Sequence, residues 1–207
     1  MKLFLASANN TLPLMAGLLP KNGKGAKVVF IENASDDLAG DRWWLKADRD
    51  AFEKMGCELI PIDLRTVTKD SFSDQLDSAD AIHFCGGSVL HLMSLLRKNG
   101  LNKIVIERVR RGSLIYSGTS AGSMVASVSL SLSAFDEEEA DNAKHLTEFS
   151  GLGLVPFYIV PHVNNKEALK SNLKMVENLS EHLQPLIFLD DNKAVLVEDN
   201  KFEIVSV

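Results

Sequence analysis

Residues 114–126, LIYSGTSAGSMVA, hold one serine between two glycines, in Gly118-Thr119-Ser120-Ala121-Gly122. A short apolar strand enters this segment and a helix of small residues leaves it. A chain that reverses within two residues puts the turn residue in a strained conformation with little room beside it, and Gly118 and Gly122 would supply that room. Ser120, at the apex, would point its hydroxyl away from the sheet. The N–H of Ala121 opens the helix and would face the same space, where helix polarity favours negative charge. A nucleophile and half of an oxyanion hole are adjacent, which is the equipment of acyl transfer.

A serine hydroxyl attacks poorly unless a neighbouring base takes its proton, and neutral imidazole is the usual base because its unperturbed pKa lies near working pH. Of the five histidines, His162, in Ile159-Val160-Pro161-His162, alone follows a strand after Ser120. His83 falls within a strand, His91 and His182 on helices, and His145 in a polar stretch. A carboxylate should orient that imidazole, and the chain order Ser, Asp/Glu, His makes Asp136 the first candidate. Glu137, Glu138, Glu139 and Asp141 crowd beside it, and most of such a run is ordinarily solvated. Gly86-Gly87 closes an earlier strand. Backbone there can approach a ligand closely, so Gly87 N–H is the second candidate oxyanion donor, with Gly86 and Ser88 beside it as substrate contacts. Cys85, a rival nucleophile by type, lies in an apolar strand and reads as buried and inert.

Elements that could position these groups alternate along the chain. Strands are expected over residues 3–6, 27–31, 57–64, 79–85 and 114–116. Helices are expected over 11–19, 41–55 with Asp41 as N-cap, 71–76, 89–96 and 102–111. Trp43 and Trp44 could line a cleft, but adjacent helical residues diverge by about 100 degrees and at least one should pack in the core. This βα rhythm implies a parallel sheet with helices on both faces, and in such sheets ligands sit outside the carboxyl ends of the strands. Ser120, Gly86-Gly87 and His162 all fall at such ends. Residues 128–149 break the rhythm and read as a surface excursion without a clear buried face. A strand at 157–160, a helix over 167–183, a strand at 186–189 and a hairpin turning at Asp199-Asn200 complete the chain.

The 207 residues, 45% hydrophobic and 24% charged, suit a single domain, 1–207. The net charge of −6, with no basic cluster beyond Arg108, Arg110 and Arg111, argues against nucleic acid as a partner. Cys57 and Cys85 have neither disulfide-framework nor metal-ligand spacing. Reduced thiols, an apolar N-terminal run too short for a signal peptide and no bilayer-length apolar segment lead to the expectation of a cytoplasmic protein away from membranes.

In these landmarks and their spacing the chain resembles the serine peptidases related to aspartyl dipeptidase (peptidase E) and cyanophycinase, the S51 group. The resemblance implies an α/β, flavodoxin-like, class I glutamine amidotransferase-like fold. It implies Ser120 as nucleophile, His162 as base, Gly87 and Ala121 as oxyanion donors, and no cofactor or metal. The family's carboxylate falls about fifteen residues after the nucleophile, at Phe135 or Asp136. Aspartyl dipeptidases read the substrate carboxylate with a cationic clamp after the histidine, and here no arginine follows Arg111, leaving Lys166 and Lys170 as point charges. The expectation is a monomeric or homodimeric dipeptidase-like hydrolase of small peptides, not strictly aspartate-specific. The alternatives are an amidase or isopeptidase acting on another amide, or a non-catalytic sensor or binding module on the same fold.

Overall fold

The apolar runs do become strands, and their alternation decides which residues face which layer. In the computed structural model, which describes residues 1–144, 146–177, 184–199 and 201–207, the first half of the chain runs β1 (Lys2–Ala6), β2 (Lys27–Ile31), α1 (Trp43–Lys54), β3 (Glu58–Pro61), α2 (Lys69–Asp77), β4 (Ala81–Phe84), α3 (Val89–Lys98), α4 (Leu101–Arg111), β5 (Ile115–Thr119) and α5 (Ala121–Met124). The second half continues through α6 (Ala140–Lys144), β6 (Tyr158–Val160), α7 (Lys166–Glu177), β7 (Leu186–Phe188), β8 (Lys193–Glu198) and β9 (Lys201–Ser206). His145, His182, Asn200 and the expected helix beyond Glu177 lie outside the described residues.

The main sheet has seven strands in the order β3-β2-β4-β5-β1-β8-β9. Its first five are parallel, and β8 and β9 extend it antiparallel. Side chains alternate across a strand. Leu3, Leu5, Val29 and Ile31 therefore pack into one core with α2, α3, α4 and α5. Phe4, Ala6, Val28 and Phe30 enter a second core with Phe52 of α1 and with Leu12 and Met15. Both faces are covered, as a parallel sheet requires. The registers Leu5↔Gly118 and Phe84↔Gly118 bring the ends of β1, β4 and β5 level, so Ser7, Gly86 and Ser120 emerge side by side.

Four features depart from or add to the sequence reading. Residues expected as an α-helix at 11–19 form a 3₁₀ segment, Asn9–Leu18, in which Leu12, Met15 and Leu18 are buried; their spacing of three matches the three-residue turn. Asp41 does not cap α1. Arg42 occupies the N-cap without a side-chain cap, and its guanidinium instead donates to the carbonyls of Asp36 and Leu38. β6 and β7 stay out of the main sheet and pair with each other in parallel, Tyr158↔Leu186 to Val160↔Phe188. The excursion is not all surface: Leu130, Leu132, Ser133 and Glu139 are buried, and Ser133 Oγ lies 2.7 Å from the Tyr158 hydroxyl. Among the described residues no helix is long and apolar enough to cross a membrane.

Candidate active site

Where β5 ends, the backbone turns so sharply that Ser120 adopts φ 48° and ψ −112°. A non-glycine residue held there stores on the order of 1–3 kcal/mol, so its surroundings must over-determine it. Ser120 N–H donates to Ala6 O at 3.0 Å, and Ser120 O accepts from the N–H groups of Ser123 and Met124. The buried Ser123 hydroxyl lies 2.8 Å from both Ala6 O and Gly118 O, and the Tyr116 hydroxyl donates to Gly122 O at 2.6 Å. A Cβ on Gly118 would stand 2.2 Å from Gly122 O, and one on Gly122 would stand 2.0 Å from Phe84 O. Strand and helix thus cross without room for a methyl group.

His162 arrives from the other ribbon. It follows β6 and Pro161 at φ 59°, and its N–H donates to Ser7 Oγ at 2.8 Å. Its Nε2 lies 2.9 Å from Ser120 Oγ and its Nδ1 2.5 Å from Asp191 Oδ1. A proton on Nδ1, donated to the carboxylate, leaves the Nε2 lone pair facing the hydroxyl. Asp191 follows β7, its N–H donates to Asn164 Oδ1, and Ser7 Oγ lies 3.2 Å from its Oδ1.

The carboxylate against the imidazole is therefore Asp191 and not Asp136. Asp136 Oδ1 accepts from Glu138 N–H at 3.0 Å, and its side chain stands in the cavity wall without touching His162. The assumed order placed the acid between serine and histidine. The chain instead passes through α7 and returns beside β6 as β7, so the acid comes after the histidine. The rule that selected His162, a polar residue just past a strand's carboxyl end, also applies to Asp190-Asp191 after residues 186–189.

The Gly86-Gly87-Ser88 turn is clamped from two sides. On one side Ser35 Oγ donates to Gly86 O at 2.7 Å, Trp44 Nε1 donates to Ser35 Oγ, and Ser88 N–H donates to Ala34 O at 2.7 Å. On the other, Glu139 accepts from Ser88 Oγ and from Val89 N–H, each at 2.6 Å. The Glu139 carboxyl is pushed up by burial, against the pull of those donors. Gly87 sits at φ +143°, and a Cβ there would lie 2.2 Å from Ala34 O. Gly87→Ala is expected to destabilise the fold by at least about 2 kcal/mol, read by urea unfolding, and to lower turnover by roughly 10²-fold through displacement of its N–H. Among the described residues neither Gly87 N–H nor Ala121 N–H donates to a protein acceptor.

Ser7, Gly86, Gly87, Ser88, Ser120 and His162 line a cavity of about 440 Å³ that also takes in Asp48, Asp136, Glu138 and Glu139. No lysine or arginine lines it among the described residues. Lys166, expected as a substrate contact, is exposed on the first residue of α7 and outside the lining. Both tryptophans line the cavity, Trp43 62% exposed and Trp44 half-buried, so neither is the core residue that helical spacing suggested. Cys85 is fully buried and its thiol is pushed up chiefly by that burial, so it is no rival nucleophile.

Beneath the floor lies a network the sequence did not signal. Asp48 Oδ2 accepts from Thr119 Oγ1 at 2.6 Å and lies 3.1 Å from His83 Nε2, while His83 Nδ1 lies 3.0 Å from Ser117 Oγ. Asp48, His83 and Cys85 bring three possible ligand atoms within 4.8 Å of one another and are the group, among the described residues, that could hold a metal ion. The hydrogen bonds to Thr119 and Ser117 already engage Asp48 and His83, which fits a polar support for the end of β5.

Peptidase family S51 matches over residues 5–205. The chain is 29% identical over 201 residues to the Listeria innocua uncharacterized peptidase Lin0382, covering 96% of this chain and 93% of that one. It is 34% identical over 158 residues to peptidase E of Streptomyces coelicolor, covering 74% and 56%. A solved structure from Listeria monocytogenes EGD-e superposes with a TM-score of 0.88 at 24% identity, covering 100% of this chain and 98% of that one.

Proposed function

The chain belongs to peptidase family S51, a family of serine-type peptidases, and on that premise we propose that it hydrolyses small peptides through an acyl-enzyme formed on Ser120. The observation that carries this is the contact of His162 Nε2 with Ser120 Oγ at 2.9 Å, with Asp191 behind the ring. As Ser120 Oγ attacks the peptide carbonyl, His162 Nε2 takes its proton and Asp191 steadies the imidazolium. The carbonyl oxygen, now negative, is met by the N–H groups of Gly87 and Ala121, and such donors are typically worth about 3 kcal/mol each in the transition state. His162 then delivers the proton to the leaving amine. Water, activated by the same imidazole, releases the acyl group and restores Ser120.

A cavity of about 440 Å³ suits a short peptide, which supports a dipeptidase-like substrate class. Its wall carries Asp48, Asp136, Glu138 and Glu139 and, among the described residues, no cationic side chain, and an additional carboxylate placed there meets like charge. The enzyme is accordingly not strictly aspartate-specific. The free thiols Cys57 and Cys85 accord with a reducing, cytoplasmic setting.

Two measurements test this. A fluorophosphonate should label Ser120, located by peptide mass mapping, and an unlabelled protein would refute the nucleophile assignment. On a dipeptide panel, alanyl and lysyl substrates should be cut at least as fast as aspartyl ones. Cleavage of aspartyl substrates alone would overturn the specificity.

A further inference from the structure

Glu139 belongs to the excursion that leaves the fold after α5, yet its side chain is only 5% exposed. It crosses to the first turn of α3, a ten-residue helix. Its Oε2 accepts from Ser88 Oγ at 2.6 Å and its Oε1 from Val89 N–H at 2.6 Å, with Leu90 N–H at 3.5 Å. Three residues on, Asn142 Nδ2 donates to the same Ser88 Oγ at 2.9 Å. The first N–H groups of a helix have no partner within the helix, and a carboxylate there is favoured by the helix polarity as well as by the bonds.

Ser88 directly follows Gly87. Its own N–H is tied to Ala34 O, and a methyl's worth of extra bulk on Gly87 would collide with that carbonyl. The turn is therefore pressed against residues 34–35 on one face and held down from the other by Glu139. If the hold is released, Ser88 and the start of α3 can lift. The Gly87 N–H then moves relative to Ser120, which is anchored separately through Ala6 and the β5–α5 crossing.

Resting on the hydrolytic reading above, we propose that Glu139 is a positioning residue for catalysis, the excursion's clamp on the oxyanion-binding turn Gly86-Gly87-Ser88. Its carboxylate, at the edge of the cavity, is engaged by Ser88 and Val89 and takes no part in the bond changes. It sets the place of the N–H that meets the developing charge, and so acts on the transition state more than on the bound peptide.

The distinguishing signature is a split between kcat and KM. Glu139→Ala should lower kcat about 30-fold with KM within about twofold, since a displaced oxyanion donor is felt only as charge develops. A peptide aldehyde, which forms a tetrahedral adduct on the serine, should lose affinity in parallel with kcat. Glu139→Gln keeps an oxygen for Val89 N–H and a polar group for Ser88 Oγ, and should recover kcat to within about threefold of wild type. Glu139→Asp keeps the charge but draws it back by one methylene, and should behave like alanine. If alanine at this buried site does not fold, the aspartate and glutamine variants carry the comparison. Equal kcat and aldehyde affinity in wild type and the folded Asp or Ala variant would overturn the proposal, as would a loss confined to thermal stability. Fluorophosphonate labelling of the wild type separates the two failures: a labelled, active wild type with indifferent Glu139 variants sinks only the clamp, whereas an unlabelled, inert wild type sinks the hydrolytic reading and the clamp with it.

Discussion

Ser120→Ala is expected to lower kcat/KM on small peptides by 10⁴- to 10⁶-fold, on the order seen when a serine nucleophile is removed, and to abolish fluorophosphonate labelling. The fold should survive. None of the bonds that hold the bend uses the Ser120 hydroxyl: Ala6 O receives the Ser120 N–H, and Ser123 and Met124 donate to the Ser120 carbonyl. Among the described residues the only group within hydrogen-bond reach of Oγ is His162 Nε2. Alanine inherits the positive φ and its strain, so melting temperature should change little. Glycine at the same position relieves the strain, and Ser120→Gly should be more stable than Ser120→Ala by about 1 kcal/mol, read by urea unfolding. Activity retained in the alanine variant would remove Ser120 from the mechanism. A glycine variant less stable than alanine would show that the bend is not strained as its dihedral angles indicate.

Asp191→Asn is expected to cost about 10⁴-fold in kcat, the size of effect that follows when a triad carboxylate becomes an amide. The amide can present an N–H to Nδ1 and thereby favour the tautomer that points a proton, not a lone pair, at Ser120. It also removes the negative charge that stabilises the imidazolium. Asp136→Asn, by contrast, replaces a group whose described role is to accept from Glu138 N–H, and its kcat should stay within about threefold of wild type. Steady-state kinetics on both variants decide between them, with circular dichroism to show that each is folded. If the Asp136 variant collapses and the Asp191 variant does not, the carboxylate seen beside His162 is not the one that orients it in the working enzyme.

Much of this centre is readable along the chain because its signals are local. Gly118, Ser120 and Gly122 lie within five residues, and the reason for Gly118 is a crossing made by those same residues, whereas Gly122 makes room for Phe84 of the neighbouring β4. Gly86-Gly87 and His162 each sit just beyond an apolar run, and strand ends are visible as changes of polarity. The alternation that buries Leu3 and Leu5 on one face and Phe4 and Ala6 on the other is likewise a property of consecutive residues. Asp191 carries a comparable signal just past residues 186–189, but the chain order Ser, Asp/Glu, His points to an acid before the histidine.

Other features belong to pairs far apart in the chain, and nothing local marks them. Asp48 meets Thr119 across 71 positions and Glu139 meets Ser88 across 51. One acidic residue in a run of four looks like its neighbours until a helix start is brought against it. The amino-acid order alone determined the layered α/β plan, the bend that presents Ser120 and the strand end that offers His162, since each follows from the size and polarity of adjoining residues. Only the folded chain decided that β7 lies beside β6 and leads to the carboxylate, that Lys166 stays outside the cavity lining, and that Glu139 is sequestered, because these depend on which distant surfaces pack together and which polar atoms must then find partners.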